Sequence, residues 1–276
     1  MAGLKRAWLA AAALMLGLAA APLGAQDNAA VDPIADNSFL IEEAYNQDDG
    51  VVQHISTLVR TDGGGAMAYS FTQEWPLRGM KRQLSYTIPV LQADGSGTGI
   101  GDVALNFRYQ LAGDGGDGVH LAPRVTLLVP TGDERRGRGA GGLGFQTNLP
   151  LSARPLPQLA LHGNAGLTYT PVAKDSAGQA ARTLNANFGA SAIWLLRPTF
   201  NLMLELLWLS TEQVVGPGER TRQSGWLLNP GLRGAINFAS GLQIVPGVAY
   251  TVALDDGAGD DGLFLYLSFE HPFRRS

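Results

Sequence analysis

The sequence predicts an all-β fold, a transmembrane antiparallel up-and-down β-barrel of about twelve strands with a short N-terminal helix. Three observations carry this reading. Apolar and polar residues alternate over runs of mostly ten to fifteen residues, well beyond the ~5–6 of a soluble strand and suited to the ~9–11 of a tilted membrane strand. Twelve such runs can be counted, and bacterial single-chain barrels need an even number. An export signal precedes them, and no later stretch is long and apolar enough for a membrane helix. A closed barrel is then the remaining way to cross lipid.

Composition narrows the function. Charged residues are 16% of the 276 and hydrophobic ones 45%, against ~25% charged in ordinary soluble domains. The chain has no Cys, which excludes a disulfide scaffold, a thiolate metal site and a Cys nucleophile. Its 36 Gly follow no three-residue period, so it is not collagen-like. The net charge is −4, and it becomes more negative when Lys5 and Arg6 leave with the signal. Such a chain has no electrostatic footprint for nucleic acid.

Residues 1–25 read as a signal peptide: Lys5 and Arg6 precede the apolar run Ala7–Ala21, and Ala25 can end the segment. Residues 26–50 form a periplasmic segment. Asp36-Asn37-Ser38 can cap a short helix carrying Phe39, Leu40, Ile41, Glu42, Glu43 and Tyr45, stopped by Asp48-Asp49-Gly50. This amphipathic helix is a candidate plug for the barrel's lower mouth. The alternative is a loose tail.

The barrel then occupies 51–276. Its twelve runs lie near 51–60, 66–75, 81–92, 100–111, 119–129, 143–153, 158–170, 183–196, 199–212, 222–238, 241–254 and 262–273. In 100–111, Val103, Leu105, Phe107, Tyr109 and Leu111 alternate with Asp102, Asn106, Arg108 and Gln110, giving one greasy and one wet face. Later far-side connections at 130–142, 171–182, 213–221 and 255–261 are long and later near-side ones at 154–157, 197–198 and 239–240 are tight, as expected for such barrels. The first ones, far-side 61–65 and 93–99 and near-side 76–80 and 112–118, do not discriminate. Trp75, Tyr109, Trp194, Phe200, Phe238 and Phe273 form one aromatic girdle, and Phe145, Tyr169, Trp208 and Trp226 the other. Pro89, Pro123, Pro150, Pro230 and Pro246 fall inside the runs. Each is expected at a bulge, a strand end or a wet lumen position.

Charges on the wet face are candidate pore-lining residues: Arg82, Asp102, Arg108, Arg124, Glu205, Arg233 and Glu270. They can equally pair across the bore and brace it. Ile193, Leu195, Met203, Leu207, Leu209 and Leu227 make an apolar lumen patch that needs a cover or a greasy ligand. Arg135, Arg136 and Arg138 on the longest outer loop could touch anionic lipopolysaccharide, though plain solvation also accounts for them. Of the four His, His54 has Ser56 on its face and His162 has Asn164. Neither makes a hydrolase triad, and no His pair has ligand spacing. No catalytic residue, metal or cofactor is assigned.

The last strand, Gly262-Leu-Phe-Leu-Tyr-Leu-Ser-Phe-Glu-His-Pro-Phe273, is similar to the signal by which outer-membrane barrels engage their assembly machinery. Gly99-Ile-Gly-Asp-Val-Ala-Leu-Asn-Phe-Arg-Tyr109, Leu128-Val-Pro-Thr-Gly-Asp133, Ser38-Phe-Leu-Ile-Glu-Glu-Ala-Tyr-Asn46 and Val51-Val-Gln-His-Ile55 resemble the outer-membrane proteins named for the MetA pathway of phenol degradation. The resemblance spans about residue 36 to 273. It implies a transporter barrel linked to aromatic compounds, and no catalytic residues.

The expected function is a channel for passive passage of small solutes, hydrophobic or aromatic ones by resemblance. The expected location is the outer membrane, with its lipids and the assembly machinery as partners. Alternatives are a structural or interaction barrel with a filled lumen and, least favoured, a lipid-modifying enzyme. The solute itself leaves no signature in the sequence.

Overall fold

The computed structural model describes residues 33–62, 65–93, 97–113 and 118–273. The expected signal peptide, 1–25, lies outside them. Twelve antiparallel strands close into one barrel. They are β1 (Val51–Thr61), β2 (Met67–Pro76), β3 (Arg82–Ala93), β4 (Gly97–Ile100 resuming as Val103–Tyr109), β5 (Val119–Leu121 resuming as Arg124–Val129) and β6 (Gly144–Leu156). The wall continues as β7 (Leu159–Lys174), β8 (Ala180–Arg197), β9 (Phe200–Gly216), β10 (Glu219–Gly234 resuming as Ile236–Asn237), β11 (Gln243–Ala253) and β12 (Gly262–Pro272). Each strand pairs with its chain neighbours. β12 closes on β1 in unbroken register from Val51 opposite Pro272 to Thr61 opposite Gly262. Closure pairs the spanning part of each strand on both sides, which a lipid environment demands. The upper end of β10, Glu219–Gly225, pairs with β9 and lies above the β11 pairing.

The period-2 pattern sorts the wall. Leu105, Val125, Leu149, Leu167, Leu204 and Leu267 are exposed on the outer surface. Their alternates Asn106, Thr126, Asn148, Glu205 and Ser268 are buried on the inner one. Exposed Tyr109, Trp194, Phe238 and Phe273 sit toward the rim that holds both wall termini, and Phe145 and Tyr169 toward the other. The first rim carries the two-residue turns 157–158 and 198–199 and is the periplasmic one by the rule that such turns are short.

The prolines stand where the ladder is interrupted. Pro89 accepts from Gly101 opposite the gap in β4. Pro123 sits in the gap of β5, next to Ala122, which donates to the Pro150 carbonyl at 3.3 Å. The β10–β11 pairing skips Pro230.

Two expectations change here. The far-side loops at 171–182 and 213–221 shrink to 175–179 and 217–218, because their flanks continue as strand. β8 has 18 residues and β9 has 17, against 10 in β2. One side of the wall therefore rises beyond the hydrocarbon layer. The N-terminal helix is also absent: residues 33–50 form no helix but bend at 39–41 and 44.

A lumen occupied by the N-terminal segment

Residues 33–50 enter the barrel from the periplasmic rim, turn at 39–41 and return to β1, a U lodged in the lumen. The wall supplies the hydrogen bonds that a helix would have supplied from within. Glu205 Oε1 accepts three consecutive amides, from Phe39 (3.0 Å), Leu40 (2.7 Å) and Ile41 (3.0 Å). Such a run of N–H groups is a nest for an anion. The other oxygen, Oε2, accepts from Asn229 Nδ2 at 2.6 Å, and Asn229 Oδ1 accepts from Thr251 at 2.9 Å. Glu205 is fully buried, and these donors are what makes a buried carboxylate tolerable. The missing helix is explained further along: the amides of Ala44 and Gln47, which a helix would bond to the Leu40 and Glu43 carbonyls, are taken by wall side chains.

The limbs are held the same way. On the entering limb, Ile34 donates to the Pro198 carbonyl at 2.7 Å, Asn201 Nδ2 donates to the Ala35 carbonyl at 3.2 Å, and Arg233 donates there too. Arg154 pairs with Asp36 at 2.9 Å, and Ser38 Oγ meets Ser191 Oγ at 2.5 Å. On the returning limb, Glu42 takes Arg124 Nε on both oxygens (2.9 and 3.0 Å), Asn148 Nδ2 at 2.6 Å and Arg108 Nη1 at 3.3 Å. Arg108 also donates to the carbonyls of Glu43 (3.1 Å) and Tyr45. Ala44 donates to Ser152 Oγ at 2.7 Å, and Gln47 to Gln83 Oε1 at 2.7 Å.

Apolar contacts complete the fit. The Phe39 ring lies 5.0 Å from Phe264 and 5.2 Å from Tyr266. It covers Gly231 and Gly247, where an added Cβ would stand 2.7 Å from ring atoms. Ile41 covers Gly189 in the same sense, at 2.6 Å. Phe39 and Leu195 pack on the cluster of Ala160, Ile193 and Met203. Beyond it, Leu207 stands opposite Leu227, with Leu209 half-buried above.

Burial and charge set the two acids of the segment apart. For Glu42, burial is outweighed by Arg124 and Arg108, which together hold the carboxyl below its ordinary range. For Glu43, burial dominates the pull of Arg108 and pushes the carboxyl up to about 7. Tyr45, edge-on to His120 at 4.9 Å, is pushed up to about 12, mainly by burial.

The wet-face charges separate into three groups. Arg108, Arg124, Glu205 and Arg233 converge on the segment, as above. Glu270 lies beside them at the periplasmic mouth, bonded to Gln53 Nε2. Asp102 stands at the outer rim, accepting from Gly132 (2.9 Å) and Ala140 (2.7 Å), and so pins the loop 130–143. Arg82 is a correction. It is exposed and paired with Tyr109 on the outward register, whereas Gln83 and Ser85 point in. An Arg at the interface can snorkel to water, so it need not face the lumen.

His54 and Ser56 lie on the outward register, His54 stacked on Phe269 at 4.6 Å and Ser56 bonded to Tyr69 at 3.1 Å. Sequence reasoning missed a cross-strand pair: Ser152 Oγ is 2.7 Å from His162 Nδ1, and His162 Nε2 is 2.8 Å from the Asp36 carbonyl. Ser152 is fully buried and accepts from Ala44, so the pair anchors the segment. The pairing Ser152 opposite His162 needs the register, which a single sequence does not give.

Solved structures share the fold. The chain matches the NanC porin with a TM-score of 0.53 at 10% identity, over 80% of this chain and 100% of that one. It matches the COG4313 outer membrane channel from Pseudomonas putida F1 with a TM-score of 0.59 at 14% identity, over 87% and 99%. No curated protein matches the sequence. The barrel is thus built like outer-membrane channels, and the motifs around Gly99–Tyr109 and Leu128–Asp133 sit in one wall and its pinned loop. With residues 43–265 matching, the chain belongs to the family described as putative MetA-pathway of phenol degradation.

Proposed function

We propose that the protein is an outer-membrane channel for passive passage of small solutes, closed in its periplasmic half by residues 33–50. The observation that carries this is the U-shaped segment bound through its own backbone to polar wall side chains, above all at Glu205. A polar inner wall is what a water-filled bore needs. Withdrawal of the segment would expose Arg108, Arg124 and Arg233 together with the apolar patch around Ile193 and Met203. No step in this reading makes or breaks a covalent bond.

Aromatic solutes are supported by the family description and by one feature of the wall. Phe39 fills a ring-sized slot between Gly231, Gly247, Phe264 and Tyr266. A small aromatic solute could take that place once Phe39 leaves.

The complete absence of Cys makes the test clean. Ser38→Cys with Ser191→Cys puts thiols where the hydroxyls are 2.5 Å apart. Oxidation should hold the channel shut in planar bilayers, and a reductant should restore conductance. Deletion of 33–47 should raise single-channel conductance and permit liposome swelling by small solutes. A deletion variant that stays silent in both assays would point instead to a barrel with a purely structural or interaction role, a reading favoured by the many hydrogen bonds and ion pairs that fix the segment to the wall.

A further inference from the structure

The tall side of the wall carries a cationic site that the channel reading does not use. On the outward register of β7–β10, Tyr169, Arg182, Leu184, Glu212, Arg220 and Arg222, with the inward-register Thr183 between Arg182 and Leu184, line a surface cavity of about 250 Å³. Glu212 accepts from Arg220 (3.1 Å) and Arg222 (2.6 Å), and from the Leu184 amide at 2.8 Å. This one carboxylate is spent on positioning two guanidinium groups, which remain 37% and 55% exposed. Arg182 is exposed beside them. Three positive charges face one negative charge, so the patch is cationic.

Its height is set by the strands. On β8, ten positions separate Trp194 in the periplasmic girdle from Leu184 in this cavity. At roughly 3.3 Å per residue and a tilt of about 40°, that is roughly 25 Å, the height of the apolar band. Phe188, Trp208 and Trp226 form a ring cluster four residues below, with centroids 5.0 and 5.3 Å from Phe188. The arginines therefore stand at the outer boundary of the hydrocarbon, aimed away from the lumen, with an aromatic ledge beneath.

Given the outer-membrane placement proposed above, we infer that this cavity binds the phosphorylated sugar headgroup of an outer-leaflet glycolipid, a lipopolysaccharide. Arg182, Arg220 and Arg222 hold a phosphate group, and Phe188, Trp208 and Trp226 lie along its acyl chains. Fork-shaped guanidinium donors suit phosphate oxygens. The basic loop seen in the sequence is less suited: Arg138 is buried, which leaves two exposed arginines there, Arg135 and Arg136, against three around this cavity.

The test uses the mature chain folded in detergent, with folding scored by heat-modifiable gel mobility. Bis-phosphorylated lipid A is added and the bound lipid counted by native mass spectrometry. The expected result is one retained lipid A in the wild type and at least a tenfold loss of affinity in Arg182→Gln/Arg220→Gln/Arg222→Gln. Arg135→Gln/Arg136→Gln should bind as the wild type does. Equal retention by the folded triple variant, equal binding of dephosphorylated lipid A, or no retention by the wild type would each overturn the inference. Competition by millimolar inorganic phosphate alone, with no preference for the lipid, would overturn it in favour of a free-anion site. Conductance of the triple variant reads the channel proposal separately and should be unchanged.

Discussion

Glu205→Ala tests the closure at its centre. The carboxylate receives three amides of the segment and one amide from Asn229. A hydrogen bond to a charged group contributes about 1.5–3 kcal/mol net. Three bonds to a single oxygen do not add in full, so about 3–5 kcal/mol is the fair range for the segment's share. That moves the closed–open equilibrium by roughly two to three and a half orders of magnitude, since each ~1.4 kcal/mol is tenfold. The substitution removes no lipid-facing atom and no strand pairing, so the barrel should still close and migrate as folded. Two assays read the effect. Single-channel recording should show a large rise in open probability. A lone thiol introduced by Ile41→Cys, at a position only 2% exposed, should be slow to react with a bulky maleimide in the otherwise wild-type chain and at least a hundredfold faster beside Glu205→Ala. A folded Glu205→Ala variant with unaltered labelling and conductance would refute the claim that the anion nest holds the segment.

Acidity should act through Glu43. Its carboxyl sits at about 7 when docked and near the ordinary 4.5 when free, so the docked state is the one that gains the proton. Docking is favoured in full below about 4.5, weakens as pH rises and loses the gain above about 7. The closed–open equilibrium should shift toward open as pH rises from about 4.5 to about 7, by up to roughly 3 kcal/mol, and Glu43→Gln should flatten the profile of open probability. Glu42 is held below its ordinary value and contributes its opposite dependence only in stronger acid. Glu42→Gln should loosen the segment by about 2 kcal/mol, discounted for 20% exposure. It should also shift the reversal potential toward anion preference as Arg108 and Arg124 lose their partner. Gly247→Ala places a methyl 2.7 Å from the Phe39 ring, and overpacking of this kind costs about 1–3 kcal/mol. The expected result is a higher open probability with unchanged heat-modifiable mobility.

The barrel was legible because its determinant is local. Period-2 alternation needs no knowledge of partners, and it gave the strand count and the outward residues Leu105, Phe145 and Leu267 directly. The lumen contacts were not legible in the same way, because they join residues far apart in the chain. Glu205 could be read as inward-facing, but its nest lies 164 to 166 positions away. Ser152 and His162 meet only through the β6–β7 register. Arg82 was misplaced at a strand end, where snorkelling makes facing ambiguous. The loops at 171–182 and 213–221 were overestimated because charged residues such as Arg182, Arg220 and Arg222 suggest loop. Above the hydrocarbon they are equally at home on a strand.

The failure of the helix prediction has a physical lesson of its own. Phe39, Leu40, Ile41, Ala44 and Tyr45 have helical spacing, so the local preference is real. The wall overrides it by binding the backbone itself: amides at Phe39, Leu40, Ile41, Ala44 and Gln47 donate to it, and carbonyls at Ala35, Asp36, Glu43, Ala44 and Tyr45 accept from it. A conformation specified through main-chain groups depends more on the wall than on the segment's own side chains. Changes at Glu205, Arg108 or Ser152 should therefore disturb closure more than changes at most segment side chains. Glu42 and Phe39 are the exceptions, because their side chains reach the arginines and the glycine-floored slot. The same dependence makes closure separable from the fold, because the bonds that hold the segment are not those that hold the strands together.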